Sequence, residues 1–339
     1  MTMETIDMLH SRPAHPWVDE HLDRVGFGLQ VFPNDTRTDP DRYLLNAGQL
    51  AEKLGFDAFF TGDHPSWGLE GWMPLAALAV KTERIRLGTH VNCIFYRHPV
   101  MLARLAADLD QMSQGRVILG LGCGWDANEF AHFGMPFPPT RERQEALEEA
   151  IAIIRGVWGA ELFTFHGRHF QTTGAKVTPL PLQEAGPPIL IAGGGERVTL
   201  RQVAQHADAC SVGSFDLVSG EPTSDGIRRK LAVLRKHCNS LGRPFNSVLR
   251  THFTGWLILA ENEEHLRAKL KSYFPKGMDQ RFSGPWSGFA MACTPERAIS
   301  YYQELVDAGI QYFIVQTLDA ADEETVRLLG EQVMPAMKK

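Results

Sequence analysis

Val25-Gly-Phe-Gly-Leu-Gln-Val31, Asp39-Pro40 and Asp57-Ala-Phe-Phe-Thr61 together decide the fold. The first run reads as a buried strand. Asp39 suits the N-cap of a helix that Pro40 begins, because a short side-chain oxygen satisfies orphan N–H groups and proline lacks one. Tyr43, Ala47, Leu50, Ala51 and Leu54 repeat at helical spacing, and Gly55 suits the left-handed residue that closes a helix. The Asp57 run is a second strand. Two strands joined through a helix must lie parallel, since only a crossover returns the chain to the same end.

The same unit recurs along the chain. Strands are expected at Ile85 to Val91, Val117 to Leu121, Ile189 to Ala192, Ala209 to Val212, within Leu249 to Leu259, and at Gln311 to Gln316. Helices are expected at Gly71 to Thr82, His98 to Ser113, from a Thr140 cap through Leu147, Ala150, Ile151, Ile154 and Trp158, and at about Glu196 to His206. Further helices follow at about Ser224 to Asn239, Asn262 to Tyr273, from Thr294-Pro295, and at about Asp322 to Met337. Eight strand–helix units suit a closed α/β (β/α)8 TIM barrel better than an open sheet. One barrel domain over 25–339 follows, with an N-terminal arm over 1–24. Two irregular insertions interrupt it, Gly159 to Pro188 with a hairpin around His166-Gly167, and Phe274 to Cys293.

Composition narrows the function. A chain of 339 residues buries a substantial core without staples. A net charge of −6 argues against a duplex-DNA footprint, which needs a concentrated basic face. Apolar runs such as Leu75 to Val80 are far short of the roughly 20 residues that span a bilayer. The first 23 residues have no apolar core and do not read as a secretory signal. Cys93, Cys123, Cys210, Cys238 and Cys293 are scattered and odd in number, so neither a disulfide framework nor a zinc site is expected. A reducing cytoplasm fits.

In a barrel of this kind, chemistry sits at the C-terminal ends of the strands. The residues there are Phe32 to Asp35, Gly62-Asp63-His64-Pro65, Asn92 to Pro99, Gly122 to Glu129, and Gly193 to Arg197. Gly193-Gly194-Gly195 before a helix suits phosphate, because backbone can approach closely and helix N–H groups face it; a tight strand-to-helix turn is the alternative, but a glycine triplet exceeds what a turn requires. Gly120, Gly122 and Gly124 either admit a planar ring or relieve crowding inside the barrel. Asp63-His64 is a candidate acid–base pair, against a purely structural histidine; His98 and His252 are weaker candidates. Glu129 and Asp126 are either catalytic carboxylates or caps. Trp67, Trp72 and Trp125 wall a pocket or fill core. The histidines show no metal-ligand spacing, and no metal is expected.

Several segments, in one order, resemble a known family. They are Ala51-Glu-Lys-Leu-Gly-Phe-Asp57 with Asp63-His64, Arg84-Ile-Arg-Leu-Gly-Thr89, Tyr96-Arg-His-Pro99, and Ser113-Gln-Gly-Arg-Val-Ile-Leu-Gly-Leu-Gly-Cys-Gly-Trp125 with Asn128-Glu129. Pro136-Phe-Pro-Pro-Thr-Arg-Glu-Arg143 and Pro187-Pro-Ile-Leu-Ile-Ala-Gly-Gly-Gly-Glu-Arg-Val-Thr-Leu200 follow, with Ala207-Asp208-Ala209. The chain resembles the bacterial luciferase-like monooxygenase superfamily and, within it, the deazaflavin (coenzyme F420)-dependent oxidoreductases.

The resemblance implies a dimeric barrel with a flavin-like ring at the strand ends. It implies a non-prolyl cis peptide at His90–Val91 beside the ring, with Asn92 following. It implies a ring-contacting Asn128, and a phosphate loop at Gly193, Gly194 and Gly195 flanked by Ala192, Glu196, Arg197 and Val198. Gly122 and Gly124 lie by the ring, His64 is catalytic, Asp63 orients or neighbours it, and Glu129 is a further catalytic candidate. Arg97, Arg141, Arg143, Arg168 and Arg197 are candidates for the cofactor's anionic tail, or are ordinary surface pairs. The implied reaction is hydride transfer between F420 and a small organic substrate, an alcohol, carbonyl or activated alkene. An FMN-dependent monooxygenase fed by a separate flavin reductase is the competing reading, and a non-catalytic flavin-binding barrel is a third. Phe32 to Asp39 and the two insertions are expected to close the pocket, with Trp286 and Phe289 as a lid.

Overall fold

The computed structural model describes residues 13–31, 40–159, 161–213, 224–277, 290–318 and 322–338. The expected roles of Asp39, of Phe32 to Asp39, and of Trp286 and Phe289 fall outside these residues.

Eight parallel strands form the ring. They are β1 (Gly26–Val31), β2 (Ala58–Thr61), β3 (Arg86–Cys93), β4 (Val117–Gly122), β7 (Ile189–Ala192), β8 (Ala209–Gly213), β9 (Leu249–Leu259) and β11 (Tyr312–Thr317). They pair in that order, and β11 returns to β1, so the sheet closes as the alternation of strands and helices implies. The hairpin expected around His166-Gly167 is β5 (Phe163–His166) against β6 (Gln171–Ala175), antiparallel. A short β10 (Met291–Cys293) lengthens the sheet beside β9 and had no sequence signal of its own.

Alternation along each strand sorts the side chains. Phe27, Leu29 and Val31 of β1 face the helices, in the large cluster that also holds Leu87, Leu119, Ile151 and Phe313. The alternate positions face inward, and Ala58, Phe60, Ile118, Leu190, Ala209, Leu249, Tyr312 and Ile314 fill the lower barrel. The residues before β1 complete that layer. A short helix, Pro16–Asp19, carries Trp17 under the barrel, with its ring centroid 5.6 Å from that of Tyr312. His21 lies 5.0 Å from Tyr312. A Cβ on Gly26 would stand 2.4 Å from the Tyr312 ring and 2.5 Å from His21, so glycine is required where the plug enters.

The upper barrel is crowded in the same way. A Cβ on Gly120 would lie 2.1 Å from the Thr89 carbonyl oxygen and 3.0 Å from Val91, and one on Gly122 would lie 2.8 Å from Val91. Of the two readings of these glycines, the structure supports crowding. The peptide between His90 and Val91 is cis.

Helix ends follow local chemistry with two corrections. Asn262 caps Glu263–Tyr273 by accepting from the His265 N–H, and Asp322 caps Glu323–Leu328 by accepting from the Thr325 N–H. Thr140 is not a cap: Pro139 occupies that position, and Thr140 is the first helical residue of Thr140–Val157. The last helix is not continuous either, because a π-helical turn, Leu329–Val333, precedes Met334–Ala336. The turn before β3 is held by Glu52, whose Oε1 accepts from the N–H groups of Glu83, Arg84 and Ile85 at 2.9, 2.7 and 3.0 Å.

Two outcomes follow. Trp17→Ala opens a cavity beneath the barrel and lowers unfolding free energy by about 3–5 kcal/mol in urea denaturation. Burial pushes Glu52 up, but its three backbone donors outweigh that and hold it below its ordinary 4.5. Its folded pKa lies under the unfolded one, so its stabilisation is full above that value and lost as pH falls through the folded pKa. Glu52→Gln therefore shrinks the fall in Tm between about pH 6 and about pH 4.

Candidate active site

The loops after β2, β3 and β4 meet at one carboxylate. Asp126 caps the Ala127–His132 helix, accepting from the N–H groups of Asn128 and Glu129, so the capping reading of Asp126 holds. That helix, which the sequence pattern did not reveal, places Glu129 with 1% of its surface exposed. Glu129 Oε2 lies 2.8 Å from His64 Nδ1 and accepts from the Tyr96 hydroxyl at 2.9 Å. Its Oε1 accepts from the Ser66 N–H at 3.0 Å. Burial raises the Glu129 pKa, but the bonds from His64, Ser66 and Tyr96 win and lower it below the ordinary value. The same burial, with the nearby Cys93 and Glu129, pushes the Tyr96 phenol well up, so it stays a donor.

An ionised Glu129 can only accept, so His64 Nδ1 carries a proton toward it and Nε2 is the ring nitrogen turned away from Glu129. The imidazole stacks on Trp67 at 4.3 Å and 15°, and meets the edge of Trp125 at 5.7 Å. Trp125 is 47% exposed. Trp72 instead is core, donating from Nε1 to Asn92 Oδ1 at 2.9 Å.

Asp63 neighbours His64 in the chain, and its own bonds go to other residues. It accepts two bonds from Arg97 Nη1 and one from Nη2, at 2.9–3.0 Å, and one from the Cys93 N–H at 3.0 Å. Arg97 also bonds Glu70. Burial opposes its charge, yet Asp63 and Glu70 raise its pKa. Bonded to two acids, Arg97 ties together the loops after β2 and β3. Asn92 is fully buried and bonded to Thr89, the Gly120 carbonyl and Trp72.

Among the other arginines, Arg141 pairs with Glu145 four residues on. Arg168 meets Glu145 as well. Arg143 is spent on the carbonyls of Pro138 and Gly124 and lies over Phe137. The surface-pair reading holds for Arg141 and Arg168. His98 caps the Pro99–Met112 helix, and His252 is buried beside Phe313 with its pKa pushed down to about 3 by burial.

His90 faces the barrel interior. Its Nδ1 lies 3.1 Å from Gln30 Oε1 and its Nε2 lies 2.9 Å from Ser211 Oγ, and burial lowers its pKa to about 3. The glycine triplet follows β7. Gly193 sits at φ +129° and donates to the Ser211 carbonyl at 3.0 Å. A turn, 196–198, separates the triplet from the Thr199–His206 helix. Gly193, Gly195, Arg197, Val198 and Asn128 are exposed, and Ala192 is half-buried. Glu196 pairs with Arg229 at 3.0 Å, and its carbonyl oxygen is 2.9 Å from His237 Nε2.

Beneath the triplet lies a residue the sequence did not single out. Lys230, on the Ser224–Ser240 helix, is 6% exposed and donates from Nζ to the Gly194 carbonyl at 2.9 Å. A Cβ on Gly194 would stand 2.7 Å from that nitrogen. The loop is thus a backbone cradle with a buried ammonium against it, which fits a phosphate-bearing cofactor. Lys230 sits in a charged helix and reads as solvated there; only the packing against β7 reveals it. Tyr96 stood in a quoted motif with no role attached. Among the described residues no group of His, Cys, Asp and Glu could hold a metal.

The family model of luciferase-like monooxygenases matches residues 26–315. The F420-dependent glucose-6-phosphate dehydrogenase of Nocardia farcinica (strain IFM 10152) is 36% identical over 88% of this chain and 94% of its own. The enzyme of that name from Microbacterium testaceum (strain StLB037) is 29% identical over 87% of this chain and 93% of its own. A solved F420-dependent secondary alcohol dehydrogenase, in complex with an F420-acetone adduct, aligns with TM-score 0.77 at 19% identity, over 93% of this chain and all of that one. With a closed barrel whose loops meet as described, and a family model matched along most of its length, the chain belongs to the luciferase-like monooxygenase family.

Proposed function

We propose that this chain is an F420-dependent oxidoreductase that interconverts a small organic alcohol and its carbonyl compound by hydride transfer. The observation that carries the reading is the buried Glu129 bonded to His64, beside an exposed glycine cradle. Relatives named as F420-dependent dehydrogenases support the cofactor. F420, when bound, supplies the carbon that accepts or donates the hydride.

The protein's own part is proton handling and placement. His64 Nε2 takes the substrate hydroxyl proton as the carbonyl forms, and returns it in the reverse direction. Glu129 stays ionised and stabilises the imidazolium through Nδ1, as carboxylates do beside catalytic histidines. Trp67 and Trp125 flank the imidazole and shield it from water. Gly193, Gly194 and Gly195 offer backbone to the phosphate, and Lys230 adds charge from below. His90 and Val91 form the wall against the ring, and Asn128 and Gly124 lie at the β4 end of the same face. Asp63 and Arg97 position the loops.

We place the protein in the cytoplasm as a homodimer. The first rests on five free thiols, four of them buried, and the second on family resemblance. Among the described residues, no helix is long and apolar enough to cross a membrane.

Titration with F420 and with FMN, followed by fluorescence, tests the cofactor. Micromolar F420 binding is expected; FMN binding with none for F420 overturns the reading in favour of a reductase-fed monooxygenase. Glu129→Gln is expected to lower kcat by about 10²–10³-fold with F420 affinity retained. Lys230→Met is expected to weaken F420 binding by about 10-fold or more, with a smaller effect on kcat at saturation.

A further inference from the structure

On the face of the barrel opposite His64, a cavity of about 240 Å³ opens between the Ser224–Ser240 helix, the Phe245–Ser247 turn and Ala308–Gly309. Arg228 and Arg235 line it from the helix, two turns apart on one stripe, with Leu231 and Ala232 between them. Arg250, the second residue of β9, reaches it from the barrel's N-terminal end. Among the described residues, none that lines it is an aspartate or glutamate.

Arg250 is 8% exposed, and its bonding partners are neutral: the Gly309 carbonyl at 3.0 Å, the Val248 carbonyl at 3.4 Å and Asn246 Oδ1 at 3.5 Å. Phe245 holds the cations near each other, with its ring centroid 4.0 Å from the Arg235 guanidinium carbon and 4.7 Å from that of Arg250. Burial pulls Arg250 below its ordinary pKa, and the charge of Arg235 pulls the same way. Like charges gathered in one concavity repel unless an anion lies between them.

Guanidinium groups arriving from a helix and from a strand end suit acceptors on several sides of one centre. A tetrahedral phosphoryl group offers these; a carboxylate offers one plane. The cavity is smaller than the roughly 300–1,000 Å³ of cofactor pockets, so it suits a small anion and not a dinucleotide-sized one. We propose that this cavity binds a small phosphate-bearing anion, at a site separate from the strand C-terminal face.

Isothermal titration of the full chain with inorganic phosphate, at constant ionic strength set by chloride, tests this. Saturable binding is expected, weakened about tenfold or more in both Arg228→Gln and Arg235→Gln and unchanged in Arg104→Gln, an exposed arginine of the Pro99–Met112 helix. Both arginines are exposed helix residues, and thermal melts by circular dichroism verify that the variants fold. No saturable binding overturns the proposal, as does binding that survives both arginine variants or is weakened as much in Arg104→Gln. Malonate binding as tightly as phosphate overturns the choice of a phosphoryl group.

Discussion

The architecture turns on a contact between β3 and β4 in the upper barrel. Thr89 O and the Val91 side chain occupy the space that Cβ atoms on Gly120 and Gly122 would need. Closing eight strands puts inward side chains from every strand into one shared volume, and that volume is filled by layers. Where β3 presses inward, β4 must withdraw. The lower layer obeys the same rule, with Gly26 withdrawing before Tyr312 and His21. The two layers divide labour: Trp17, Phe60 and Tyr312 make an aromatic plug below, while His90, Gln30 and Ser211 make a hydrogen-bonded floor above.

Buried and half-buried carboxylates then fasten what the barrel presents. Asp110 accepts from the N–H groups of Val117, Leu182 and Gln183, tying the end of the 159–188 insertion to the Pro99–Met112 helix. Glu149 takes three N–H groups at the tip of the hairpin, from Arg168 to Phe170, so that hairpin is bound to the Thr140–Val157 helix. Asp208 accepts from the Ile189 N–H and from Arg155. A buried carboxylate has about four acceptor positions and is costly to leave unpaired, so each one gathers several donors from distant segments. Glu129 is the case in which one of those donors is a histidine ring. The candidate chemistry is this structural device with one titratable partner.

Most of the fold was legible in the sequence because its signals are local. Strand alternation, Asn262 and Asp322 as caps, and Gly55 in the left-handed region at φ +84° depend on a few neighbouring residues. The elements missed are short ones, Pro16–Asp19, Ala127–His132 and β10, in which too few residues repeat for a period to show. The candidate site was legible in its residue types and less so in its pairings. His64 and Glu129 were both singled out, yet Asp63, adjacent in sequence, looked the natural partner of His64. Arg97 looked free for an anion because nothing local balances it.

The sequence by itself determined the order of strands and helices, the barrel they make, and the strand ends at which polar and glycine residues collect. These follow from backbone periodicity and from the need of parallel strands for crossovers. Only the tertiary structure decided which acid meets which base: Glu129 with His64, Asp63 with Arg97, Lys230 under Gly194. The physical reason is that a charge in a folded chain is balanced by whatever closure brings within hydrogen-bond reach. Here that reach joins residues 65, 34 and 36 positions apart.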